Sequence, residues 1–95
     1  MTEEMESKSE EVANLLKTLG HPKRLLILCA LMNTEKTVSE LEEVCGAGQS
    51  QVSQFVKRMQ NEGFLKNRKE VNFVYYSIKD LRIKKLIQQI SKIFC

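Results

Sequence analysis

Apolar residues recur at spacings of three and four as far as Met59, alternate from Phe64 to Ile78, and return to the helical period from Ile83 onward. Residues 1–9 are acidic and polar and are expected to form a disordered N-terminal tail. From Glu10, the set Val12, Leu15, Leu16 and Leu19 predicts an amphipathic helix ending at Gly20. His21-Pro22 restarts the chain, and Pro22 suits the first turn of a second helix. Leu25 to Met32 is apolar on every side, Cys29 included, so this helix is expected to be buried at the centre of the core.

Asn33 to Lys36 is polar and predicts a loop, while Thr37-Val38 suits a short strand. Ser39-Glu40-Leu41-Glu42 fits a capping box, with Ser39 at the start of a short third helix that runs to Val44 or Cys45. Gly46-Ala47-Gly48 is a tight connection into a fourth helix ended by Gly63. Val52, Phe55, Val56 and Met59 line one face of that fourth helix, while Gln49, Ser50, Ser53, Gln54 and Lys57 line the other. Gln can pair with both the donor and the acceptor of an adenine edge, Ser suits base or phosphate groups, and Lys57 can neutralise phosphate. With Gln51 these residues are candidate DNA contacts; taken alone, the same face is also that of an ordinary solvated helix. Two helices joined by a Gly-containing turn, the second with a Gln/Ser outer face, make a helix-turn-helix.

Phe64–Arg68 and Phe73–Ile78 read as strands, joined across the polar Lys69-Glu70-Val71-Asn72, where Asn72 tolerates unusual backbone angles. A hairpin placed after a recognition helix, with Arg68 and Lys69 near its tip, predicts a wing that meets phosphate; a capping hairpin with solvated charges is the plainer alternative. Asp80 can cap a last helix whose apolar stripe is Ile83, Leu86, Ile87, Ile90, Ile93 and Phe94. A chain this small cannot cover both terminal stripes with its own core. Dimerisation through the first and last helices is therefore expected, at Leu15, Leu19, Leu86, Ile87, Ile90 and Ile93, the alternative being that they pack on each other. The predicted fold is mainly α with a β-hairpin wing, a winged helix-turn-helix in the order α-α-α-α-β-β-α over residues 10–95.

Ninety-five residues suit one domain, and no apolar run approaches the ~20 residues that span a bilayer. A cytoplasmic protein with no membrane partner is expected, and its three cysteines should rest as thiols. The net charge of +3 conceals a polarity. Residues 1–56 hold 5 basic and 9 acidic side chains, net −4, while residues 57–95 hold 10 basic and 3 acidic ones, net +7. The basic excess begins inside the candidate recognition helix, as a polyanion-binding surface requires. One histidine and no Ser/His/Asp grouping in sequence context argue against an enzyme.

The ordered motifs Leu19-Gly-His-Pro-Lys-Arg-Leu-Leu-Ile-Leu, Val38-Ser-Glu-Leu-Glu, Gln49-Ser-Gln-Val-Ser-Gln and Val74-Tyr-Tyr-Ser-Ile resemble the ArsR/SmtB family of winged-helix transcriptional repressors. The resemblance runs from about Glu10 to the C-terminus. It implies a homodimer on double-stranded operator DNA, a recognition helix in the major groove, and release by an effector. Two positions depart from the family: Gly48 stands where a serine cap is usual, and Phe55 where a histidine is common. The metal sites of the family imply a Cys-x-Cys motif in the third helix, where this chain has Thr37-Val38-Ser39, or Asp and His pairs in the last helix, where no histidine follows Asp80. His21 is better suited to ordering its turn. No metal ligands are assigned and no cofactor is expected.

Ile27-Leu28-Cys29-Ala30-Leu31 with a cysteine at the C-terminus, Cys95, resembles the branch of the family typified by BigR, SqrR and HlyU. That resemblance implies redox sensing of sulfide, persulfide or an oxidant, in which Cys29 and Cys95 become linked and the operator is released. Cys45 has no counterpart in the pair. A cysteine in an apolar helix is also an ordinary small hydrophobe, and its thiolate is disfavoured there unless a cation approaches. A metal-responsive or effector-free repressor, or a winged-helix protein-interaction module, remain as alternatives.

Overall fold

The computed structural model describes residues 2–95. Its elements are α1 (Glu3–Leu19), α2 (Pro22–Ala30), α3 (Val38–Cys45), α4 (Gln49–Asn61), β1 (Leu65–Glu70), β2 (Phe73–Ile78) and α5 (Leu81–Phe94). This is the winged helix-turn-helix order. The first helix begins at Glu3, within the stretch expected to be a disordered tail. Thr2 caps it by accepting from the Met5 N–H at 3.1 Å, and Glu3, Glu4 and Glu6 fill the first turn. The acidity that suggests a loose tail is therefore the charge that a helix N-terminus favours.

His21 caps α2, its Nδ1 accepting from the Lys23 N–H at 3.2 Å, and Pro22 occupies the first turn. The expectation of a helix buried on every side does not hold. Ile27 and Leu28 are fully buried, but Leu26 is 45% exposed and Cys29 is exposed, because α1 and α3 pack against only part of its surface. Thr37, not Ser39, caps α3. Its Oγ1 accepts from the Glu40 N–H at 3.3 Å, while Glu40 Oε1 accepts from the Thr37 N–H at 3.0 Å. Ser39 also has a glutamate three residues on, at 42, but the helix starts two residues earlier, so the reciprocal pair is Thr37 with Glu40. The strand expected at Thr37-Val38 is instead a single bridge at Lys36. Its N–H and C=O pair with Tyr76 at 3.0 and 2.8 Å and fasten β2 to the loop before α3.

Gly46 ends α3 at φ 66°, a left-handed geometry open to glycine at little cost. Gly48 begins α4 without a side-chain cap. The hairpin is antiparallel, with Leu65 opposite Ile78 and Glu70 opposite Phe73, leaving Val71-Asn72 as a two-residue turn. The positive φ in that turn falls on Val71, at 48°, and not on Asn72. A β-branched residue in that region is strained.

Ile27, Leu28, Leu41, Val52, Val56, Met59 and Ile83 are fully buried and join α2, α3, α4 and α5 into one core. Leu19 and Ile87, expected at a dimer interface, are buried in this same core. They point inward because each lies on the face of its helix that meets the other elements of its own chain. Leu15 and Leu86 are half-buried against the core, Ile90 is half-buried, and Leu16, Ile93 and Phe94 stand in solvent.

Candidate nucleic-acid interface

α4 owes its outer face to its inner one. Val52, Val56 and Met59 recur at four and three residues and are fully buried, so the opposite side must face solvent. Gln49, Ser50, Ser53, Gln54 and Lys57 together line one shallow surface depression of about 350 Å³. Gln51 is exposed but lies outside that lining. Phe55 is half-buried and packs on the core, as a residue that supports the helix rather than touches a partner.

Two side chains from the start of α2 grip both helices of the helix-turn-helix. The His21 ring packs on Phe55 of α4 with centroids 4.9 Å apart. Lys23 Nζ donates to the carbonyls of Cys45 and Gly46, at 3.1 and 3.2 Å, where α3 ends. A cation placed on the last carbonyls of a helix is favoured by its dipole. Sequence reasoning passed over Lys23 because its partners lie more than twenty residues away.

The hairpin is tied to α4 by Asn67 Nδ2, which donates to Gln60 Oε1 at 3.0 Å. Arg68, expected to meet phosphate, is ion-paired within its own chain. Its Nε donates to both carboxylate oxygens of Glu35, at 3.1 and 3.0 Å, Nη2 also meets Glu35, and Nη1 donates to Glu70 at 2.6 Å. Its Cζ sits 4.6 Å from the Tyr75 ring centroid. The guanidinium is thus committed to the wing's own fold, and it holds the Glu35 carboxyl below the usual carboxylate range. The spacing 35 to 68 gives no sequence signal for this contact. Lys69 is exposed and makes no ion pair among the described residues.

Cys29 on α2 and Cys95 at the end of α5 are both exposed and unlinked, while Cys45 is buried. Partial burial pushes the Cys29 thiol up, and the charge of Cys95 adds to that rise. Among the described residues there is no group of three or more His, Cys, Asp or Glu side chains positioned to hold a metal ion, and no helix is long and apolar enough to cross a membrane.

Residues 21–67, which hold α2 to α4 and the start of the wing, match the family described as bacterial regulatory protein, arsR family. The biofilm growth-associated repressor of Xylella fastidiosa (strain Temecula1) is 38% identical over 93 residues, covering 98% of this chain and 82% of that protein. The chain belongs to the arsR family of DNA-binding transcriptional regulators. It is not an enzyme. Among other relatives of the family, the transcriptional activator HlyU of Vibrio cholerae is 32% identical over 93 residues, covering 98% of this chain and 86% of that protein. The crystal structure of the repressor BigR from Xylella fastidiosa superposes with a TM-score of 0.92 at 38% identity, covering 100% of this chain and 98% of that one. Reduced HlyU from Vibrio cholerae superposes at 0.90 and 32% identity, with 99% of each chain covered.

Proposed function

We propose that the chain is a homodimeric repressor that reads operator DNA with the outer face of α4 and lets it go when Cys29 and Cys95 become linked. The reading of DNA rests on the Gln/Ser/Lys surface of α4, with Gln54 and Ser53 meeting bases and Lys57 and Lys69 meeting phosphate. The thiol switch rests on one observation: two exposed, unlinked cysteines stand on different helices, α2 and the end of α5, and Cys95 adds to the upward push that burial gives the Cys29 thiol. The likeness to BigR, named a repressor, and to an HlyU structure described as reduced supports both halves.

The chemistry needs only a sulfane-sulfur donor. One cysteine thiolate takes the outer sulfur of a persulfide R–S–SH, releasing R–SH. The second thiolate attacks the protein persulfide and expels hydrogen sulfide, leaving a disulfide. Both protein thiols are oxidised and the sulfane sulfur is reduced. The bond ties the end of α5 to α2, and operator affinity falls if the linked packing holds the two recognition helices at another separation or tilt. The dimer buries the apolar side chains left in solvent at the chain ends, Met5 and Leu16 on α1 with Ile93 and Phe94 on α5.

Peptide mapping after persulfide treatment, paired with titration of labelled operator, tests the switch. Cys29→Ser and Cys95→Ser should each abolish the response and keep reduced-state binding, while Cys45→Ser should leave the response intact. Fully linked protein that binds operator as tightly as reduced protein would refute it.

A further inference from the structure

Away from the depression on α4, a cavity of about 560 Å³ opens between α1, the start of α2, the end of α4 with Phe64 beyond it, and the start of α5. That volume lies within the ~300–1,000 Å³ of small-molecule sites. One wall is apolar, formed by Val12, Leu15 and Phe64. The rest is strongly cationic, with Lys17, Arg24, Arg58 and Arg82 facing only Glu11 and Glu62. Two of those cations are already matched. Arg58 Nε donates to Glu62 at 3.1 Å, and Arg82 Nη1 donates to Glu11 at 2.6 Å. Arg24 is not. Its Nη2 donates to the Lys17 carbonyl at 3.2 Å, and its Nε is buried with no hydrogen-bond partner among the described residues.

A buried guanidinium N–H without an acceptor is costly, and the group that relieves it must be an acceptor, best an anion. We infer that this cavity is an effector site for a small organic monocarboxylate, whose acid group meets Arg24 and whose apolar body lies on Leu15 and Phe64. The site is separate from the thiol pair and adds a second input to the regulator. On α1 the cavity is lined by Glu11, Val12, Asn14, Leu15, Lys17 and Thr18, and Val12 borders the stripe that carries the solvent-facing Met5 and Leu16.

The route to DNA is short. Arg58 and Glu62 belong to the last turn of α4 and its cap, and Glu62 also accepts from the hydroxyl of Thr18, which is only 3% exposed, at 3.0 Å. A bound carboxylate competes with Glu62 for Arg58 and so disturbs the carboxylate through which Thr18 of α1 meets the end of the recognition helix. The ligand should weaken operator binding, and by reciprocity operator should weaken the ligand by the same factor.

The test uses the full chain and 2-naphthoate as probe, with 2-naphthamide as its neutral counterpart and inorganic phosphate as a charge-only control. Calorimetry should show naphthoate binding at least about tenfold tighter than naphthamide or phosphate. Arg24→Met should remove that preference and Arg24→Lys should restore part of it. Both variants, and Cys29→Ser, should keep reduced-state operator affinity, which shows that they fold and separates this site from the thiol switch. Saturating naphthoate should raise the operator Kd severalfold. Equal binding of naphthoate and naphthamide, indifference to Arg24→Met, or an operator Kd unmoved by the probe would each overturn the inference.

Discussion

Val71 offers a test in which the folded-state terms nearly isolate themselves. It is 96% exposed, so removing its side chain sacrifices almost no burial, and it sits at φ 48° in a two-residue turn. A residue with a Cβ carries about 1–2 kcal/mol of strain in the left-handed region, and β-branching leaves it no easy escape. Val71→Gly removes that strain and adds about 0.5–1 kcal/mol of backbone entropy lost on folding. The net is a gain of roughly 0.5–1 kcal/mol, or a melting temperature about 2–8 °C higher for a domain of this size. Urea titration and calorimetry at one fixed protein concentration would measure it, since a dimer's stability depends on concentration. Two controls sharpen the result. Val71→Ala keeps the Cβ and should gain less, and Asn72→Gly, where φ is not positive, should lose stability. A Val71→Gly protein no more stable than the parent, or an Asn72→Gly protein that gained instead, would refute the account of the turn.

Lys69→Ala should weaken operator and random DNA alike and flatten the dependence of log K on log salt by roughly one unit, read by anisotropy titration. Lys23→Met keeps the aliphatic stem but abandons the carbonyls of Cys45 and Gly46, so the unfolding free energy from urea titration should fall by ~1 kcal/mol while Lys23→Arg recovers most of it. The Glu35 carboxyl is held below its ordinary range by Arg68, so its contribution to the wing is present above ~4.3 and is lost as pH falls through the lower folded value. Tyr75 ring resonances followed by NMR should shift in that acid window, and Glu35→Gln should abolish the shift. Cys29 has its thiol pushed up, so its alkylation rate should keep climbing through mildly alkaline pH, measured by mass spectrometry of the labelled peptide.

The order of elements was legible because each leaves a local signature. Val52, Val56 and Met59 announce α4 by period alone, and Pro22, Asp80 and Gly63 mark boundaries through backbone chemistry that does not depend on the rest of the fold. What escaped were features set by distant partners or by competition between neighbours. Thr37 and Ser39 both qualify as caps, each with a glutamate three residues on, and only the folded helix, starting at Val38, shows that Thr37 is the one used. Leu19 and Ile87 share stripes with side chains that remain in solvent, and only the packed helices reveal which way each turns. Arg68 looks like a phosphate ligand until Glu35, thirty-three residues earlier, is brought beside it. The exposure of Cys29 has a similar cause: a run apolar on every side predicts burial, but α1 and α3 pack on only part of that helix.

The most direct test of the account is the effect of Gln54→Ala on binding to operator and to a scrambled duplex of equal length, at one salt concentration and with reduced protein. Gln54 lies in the polar depression on α4, so its loss should weaken the operator complex by about 1–3 kcal/mol and leave the scrambled duplex nearly unchanged. Equal weakening on both duplexes, or no change on either, would contradict the assignment of α4 as the element that reads sequence.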